Sequence, residues 1–250
     1  MVVYAPPNPC PNGYAPGIPY APQSVYLPVS PCAPASVLPG FTSRYDASQL
    51  SLADGVALTS WADLGSNNNA LVLGTAANYY KTTSSFLING HSAVRFSPAG
   101  PSFLTGPLSA SQPFSFFVVW EPLSAANSNT SFIIHMGGSF AGLYYMLTPT
   151  NMTQLYFGAN VNTGLTVAVG QAAAIGAVIN GASTIVTVNG VSSGALSPGA
   201  GGITDIAMGQ PNAGNAMDSL YGELLYYPFA LTPAQLNTLH SYAAAKWGTP

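Results

Sequence analysis

At 250 residues the chain is long enough for one large domain with an appendage and a substantial core. Only 4% of its residues are charged, the net charge is −3 and Lys plus Arg number four, which excludes electrostatic steering and a basic nucleic-acid-binding patch. Polar and glycine residues break every apolar run well short of the roughly 18 residues of a membrane span, so no membrane insertion is expected.

The first 40 residues stand apart. They hold 11 of the 22 prolines and no charge, the first charged residue being Arg44. Tyr-Ala-Pro recurs at Tyr4, Tyr14 and Tyr20, and a related Val-Tyr-Leu-Pro surrounds Tyr26. Proline at this density disfavours sheet and helix and favours extended polyproline II. A solvated linker is one reading. The Tyr, Val, Ile and Leu interleaved with the prolines favour another, a docking arm over residues 1–40. Both cysteines, Cys10 and Cys32, fall in this arm. They form either a disulfide, which would close a loop worth about 3 kcal/mol in the chain-entropy view, or two free thiols, and the spacing leaves both open. The opening MVVYAPPNPC has neither the basic nor the apolar region of a secretory signal. Any role outside a cell is therefore expected to begin by a route other than secretion, such as release inside an assembled particle.

From Phe41 the chain reads as strand after strand, with 26 glycines and 22 prolines punctuating a sequence that is 48% hydrophobic. Strands are expected near 56–61, 93–96, 114–121, 131–135, 143–148, 155–158, 165–169, 174–179, 184–188, 203–208 and 220–227. Asn89-Gly90 and Asn189-Gly190 each fit a type I′ hairpin turn. No Asp, Glu, Lys or Arg occurs from 122 through 204, so solubility there rests on Asn, Ser, Thr and Gly, or on cover by neighbours. The chain ends on a capped helix. Thr232 suits an N-cap, Pro233 the first helical position and Gln235 the reciprocal half of a capping box. Leu236, Leu239, Ala243 and Trp247 form one apolar stripe, and Gly248 supplies the stop.

This ending, a core strand followed by a short helix closing on Ala-Lys-Trp-Gly, resembles that of concanavalin A-like (laminin-G-like) jelly-roll domains. SRYDASQL (43–50) and VALTSWADLGSNNNAL (56–71) resemble that superfamily's opening strands and its Trp-x-Asp turn, here Trp61 and Asp63. NGHSAVRF (89–96), QPFSFFVVWEP (112–122) and TIVTVNG (184–190) resemble its next blocks, in order. The resemblance covers roughly residues 41–250. It implies an all-β, concanavalin A-like jelly-roll β-sandwich with a short C-terminal helix. It says less about function, because this fold hosts lectins, glucanases, adhesion modules and virion proteins.

Catalytic chemistry is sparse. Glycan cleavage needs two carboxylates flanking the scissile bond, and a glucanase-like strand would carry Glu-x-Asp-x-Glu on one face. The only glutamates, Glu121 and Glu223, fit no such pattern. Glu121 reads as a solvated strand-end charge, and Glu223 as a structural one pairing with Arg95 or Arg44. His91, His135 and His240 have neither Ser–Asp partners in sequence nor zinc spacing. His135 reads as a core histidine and His240 as a partly exposed helix residue. No catalytic residue is expected.

Two binding chemistries remain. Calcium, which lectin-like sandwiches often bind, would take Asp205 and Asp218 with oxygens of Asn212 and Asn215; the alternative has Asp218 capping the turn into the last strand. A glycan would need an aromatic platform beside amide or carboxylate partners. Tyr79, Tyr80, Tyr144, Tyr145 and Tyr156, with Asn160, are the candidates. Adjacent tyrosines in a strand point to opposite faces, so one of each pair serves a given face. Trp61, Trp120 and Trp247 read as core.

Three function classes follow. The first is a virion structural protein, self-associating and docked through its arm on a capsid or tail protein. It would display the sandwich at the virion surface as decoration, fibre head or host-glycan adhesin. This accounts together for the arm, the missing export signal, the charge-poor surface and the missing carboxylate pair; the resemblance adds that such domains are common on phages. The second, an extracellular carbohydrate-binding module, would carry an export signal. The third, a glycan-active enzyme, would carry a carboxylate pair. The sequence favours them in that order.

Overall fold

A computed structural model describes residues 36–73, 80–97, 102–126, 130–137, 141–146, 151–210 and 217–250. Tyr4, Tyr14, Tyr20, Tyr26, Cys10, Cys32, Tyr79, Asn212 and Asn215 lie outside them.

Antiparallel strands build two sheets. The first runs β15 (Val191–Ser192), β14 (Ile185–Val188), β13 (Ala173–Ile179), β8 (Phe114–Pro122), β17 (Ser219–Tyr227), β6 (His91–Phe96), β5 (Tyr80–Ile88) and β2 (Val56–Ala57). A further strand, β1 (Ser43–Asp46), pairs with β17 at Glu223–Tyr226, while β6 takes its other half at Ser219–Tyr221. The second sheet runs β12 (Asn160–Thr166), β11 (Met152–Tyr156), β10 (Gly142–Met146), β9 (Thr130–His135), β16 (Ile203–Gln210), β7 (Ser102–Ala110), β4 (Leu71–Leu73) and β3 (Ser60–Trp61).

Large aromatic side chains, among them Tyr45, Trp61, Phe114, Phe116, Trp120, Tyr145 and Tyr221, fill the space between the sheets. A second apolar layer lies on the far side of the first sheet. There Phe117, Val119, Val178, Leu225 and Tyr227 meet Leu236, Leu239, Ala243 and Trp247 of the helix α1 (Pro233–Trp247). Strands β8, β13 and β17 are thus covered on both faces, which is why they read as near-continuous apolar runs, interrupted in β17 by Gly222 and Glu223 and in β8 by Ser115 and Glu121.

Local signals act as expected at several points. Thr232 and Gln235 form the capping box, Pro233 begins the helix, and Gly248 ends it in the left-handed region at φ 65°. Both Asn-Gly pairs turn hairpins with positive φ at each residue, 50° and 78° at 89–90 and 50° and 81° at 189–190. Asn89 Nδ2 also donates to the Lys246 carbonyl at 3.0 Å, fastening that hairpin to the helix end.

Other boundaries differ. The expected strand at 56–61 is two short strands, β2 and β3, in opposite sheets. The strand expected at 165–169 lies earlier, at Asn160–Thr166, where polar residues on an exposed face hide the alternation. Strand β7 escapes sequence reading because Gly106 and Pro107 interrupt it. The pairing of β7 with β16 slips beside Pro107, the irregularity at which a sheet tolerates proline.

Candidate functional site

Glu223 and Asp46 are tied into the fold by ion pairs. Glu223, 1% exposed, sits in the middle of β17 and receives four donors. Arg44 Nε lies 2.8 Å from Oε1, and Tyr242 OH, Trp247 Nε1 and Lys246 Nζ lie 2.7, 2.9 and 3.1 Å from Oε2. Asp46 completes the knot, accepting from Arg44 at 2.9 Å and Lys246 at 2.7 Å. Burial alone would raise the Asp46 pKa, but the hydrogen bonds from Lys246 and Ser48 and the charges of Lys246 and Arg44 hold it below the usual range. Of the two partners expected for Glu223, Arg44 is the one found. The knot bolts β1 and α1 to β17 and holds Glu223 inside the fold at 1% exposure.

Glu121 corrects its sequence reading. It is half-buried rather than a solvated edge charge, and burial raises its pKa. Its cross-strand neighbour is Leu220 rather than a second carboxylate.

Of the calcium candidates, Asp205 and Asp218 fall among the described residues and sit in different surroundings. Asp218 is held bidentately by Arg95 at 2.8 and 2.7 Å, with the guanidinium stacked 4.0 Å over the Phe86 ring. Asp205 belongs instead to the second sheet, where its Oδ1 lies 3.6 Å from His135 Nδ1. Among the described residues no group of three or more His, Cys, Asp or Glu is placed to hold a metal ion.

The histidines are also corrected. His240 is buried, its Nε2 2.8 Å from Thr187 Oγ1 and its ring edge-on to Phe117, and burial lowers its pKa to about 4. His135 is half-buried on the outer face of the second sheet, not in the core. A bulge causes this. Opposite Leu143 and Tyr144 the register passes from Ile134 to Phe132, so Ile133 and Ile134 both enter the core while Phe132 and His135 both face out. Burial lowers the His135 pKa against the opposing pull of Asp205.

That outer face is the candidate binding site. Phe132, Tyr144 and Met146 form an apolar patch on it, with Met152 and Tyr156 packed alongside. Tyr144 stacks on Phe132 at 4.4 Å, and its pKa is raised by burial and by the nearby Tyr156. Alternation along β11 puts Met152, Gln154 and Tyr156 on this face, and cross-strand pairing sets Asn162 beside Gln154 and Asn160 beside Tyr156. Gln154 Nε2 donates to Asn162 Oδ1 at 2.7 Å. Asn160 and Asn162 are exposed, while Tyr156 and Gln154 are half-buried. The patch therefore grades from a packed aromatic floor to a rim of amides.

The sequence candidates divide accordingly. Tyr144, Tyr156 and Asn160 converge on this face. Tyr144 is only 6% exposed and serves as floor rather than platform. Tyr145 points into the core and donates to the Val167 carbonyl at 2.8 Å, so it is not a ligand residue. Tyr80 begins β5 in the other sheet. Sequence reading missed Gln154 and Asn162, which period-two alternation along β11 would have found. It also missed Phe132 and His135, which the bulge hides.

The fold and this face define a concanavalin A-like β-sandwich. No protein-family model matches the chain, and no curated protein matches it in sequence. Solved structures do resemble it. Trypanosoma rangeli sialidase in complex with sialic acid is 14% identical, with a TM-score of 0.58 over 84% of this chain and 34% of that one. A mutant of the same sialidase displaying trans-sialidase activity is 12% identical, with a TM-score of 0.60 over 82% and 33%. The binding domain of Paraclostridial Mosquitocidal Protein 1 is 14% identical, with a TM-score of 0.58 over 84% and 55%. The chain thus spans about a third of the sialidases and just over half of the toxin structure. These likenesses establish the fold.

Proposed function

We propose that the chain is a lectin-like, non-catalytic carbohydrate-binding module whose ligand lies on the outer face of the second sheet. The observation that carries this is the juxtaposition of the half-buried Tyr156 ring with the exposed amides of Asn160 and Asn162. A sugar presents an apolar ring face and a fringe of hydroxyls. An aromatic ring covers the first, and amides, each both donor and acceptor, match the second. The buried Glu223, bonded to four donors, and the solitary Glu121 speak for binding without cleavage. One structural neighbour is a sialidase in complex with sialic acid, which adds a sugar to the fold comparison.

The finer reading is that the Tyr- and Pro-rich arm over residues 1–40 docks on a capsid or tail protein and presents the sandwich at a virion surface. It rests on the sequence of the arm and on the charge-free stretch 122–204. An extracellular module outside any particle is the alternative.

A glycan array probed with the full chain tests the binding reading, and reducing-sugar release from any bound glycan tests the absence of cleavage. Binding without release is expected; no binding, or release, overturns it. Sedimentation of the full chain and of a chain lacking residues 1–35, in lysate of the native source, tests the arm. Only the full chain should travel with large particles.

A further inference from the structure

Among the described residues the strands that end the two sheet paths are unequal, and β1 lies off the first path, beside β17. Strands β15, β2 and β3 have two residues each, a length that gives an incoming strand little to pair with. Strand β12 runs seven residues, Asn160–Thr166, and among the described residues β11 is its one neighbour in the sheet. Proteins commonly guard such an edge with charge or proline. β12 reads NVNTGLT and carries neither, inside a stretch from 122 to 204 without a single charged side chain. Its one irregularity is at Gly164, φ 74°, where the register with β11 slips. Four of its seven residues are exposed.

We infer that β12 is a self-association edge, at which two copies of the chain pair antiparallel about a two-fold axis and join their second sheets into one. A second copy fits this edge better than a peptide does. Antiparallel pairing of a strand with itself satisfies both edges at once and closes the assembly at two copies. A proline-rich segment such as residues 1–35, with 10 prolines, lacks many of the N–H groups the edge requires. Nothing on β12 repels its own copy. A two-fold through Asn162 pairs Val161 with the partner's Thr163 and sets the two Asn162 amides, each donor and acceptor, opposite one another. This pairing stands independently of glycan binding. If both hold, two Tyr156 rims lie on one continuous sheet face, and a dimer engages a branched or repeated glycan with avidity.

Sedimentation equilibrium of the full chain tests the inference. The wild-type mass should rise with concentration from 25.6 kDa to twice that value. Asn162→Lys and Asn162→Asp each place like charges across the two-fold and should each remain at monomer mass, with unchanged melting. Mixed in equal amounts they should regain the dimer, because Lys then faces Asp. Val191→Lys, on the short β15 edge, should dimerise as wild type does. A wild type that stays monomeric at millimolar concentration overturns the inference. So do single variants that still dimerise, or a mixture that does not recover.

Discussion

Trp247 Nε1 donates to Glu223 Oε2 at 2.9 Å, joining the end of the last helix to the middle of the last strand. Lys246 and Tyr242 reach the same oxygen, so the Ala-Lys-Trp-Gly ending is a set of donors for one buried carboxylate. Removing its charge should leave the half-buried Arg44 and Lys246 to share Asp46. Glu223→Gln is expected to cost about 3–5 kcal/mol, read as a lower urea midpoint. Glu121→Gln, at a carboxyl whose charge burial disfavours, should be neutral or slightly stabilising at pH 7. Equal effects for the two would contradict the assignment.

Gly222 lets that indole approach. A Cβ there would lie 2.9 Å from Trp247 Cε3 and 3.0 Å from Cζ3. Gly222→Ala should therefore destabilise by about 1–3 kcal/mol through overpacking, although alanine suits a strand better than glycine. Thermal melting checks it; an unchanged or higher Tm would show that the indole relocates freely.

Acid should weaken the helix layer. The His240 pKa falls from 6.5 in the unfolded chain to about 4 in the folded one, because burial disfavours the imidazolium. The unfolded state therefore takes up protons first. The stability associated with neutral His240 is complete above pH 6.5 and is lost as pH falls toward 4. His135 shifts in the same direction and adds to the same limb. His240→Gln should flatten the fall of the urea midpoint between about pH 6.5 and 4; an unchanged slope would contradict the assignment. Asp46, whose pKa is lowered, weakens the fold only at more acid pH, so the two effects separate.

Much of the fold was legible because local and tertiary signals agree. The capping box at Thr232 and Gln235, the two Asn-Gly hairpins and the doubly buried runs of β8, β13 and β17 each follow from residue chemistry alone. Legibility failed where the backbone departs from regular period. The bulge at Ile133 turned His135 outward, Gly106 and Pro107 masked β7, and strands β2 and β3 are too short to alternate. The candidate face was half legible. Tyr156 and Asn160 could be singled out by type, but which tyrosine of 144 and 145 faces out depends on register.

Tyr145 provides the control for the site. Its hydroxyl donates to the Val167 carbonyl inside the core. Tyr145→Phe should cost about 1 kcal/mol of stability and leave glycan binding unchanged. A loss of binding with an unshifted Tm would place the ligand elsewhere.

The central claim is that a sugar lies against Tyr156 and its rim of amides. The most direct measurement is a glycan array probed with the full chain and with Tyr156→Ala, each matched for thermal melting. The account predicts that the wild-type chain binds at least one glycan, and that Tyr156→Ala, compared at a temperature where both chains remain folded, binds roughly tenfold more weakly, the loss of about 1.4 kcal/mol of ring contact. A wild-type chain that binds no glycan, or a Tyr156→Ala variant that binds as tightly as wild type, would contradict it.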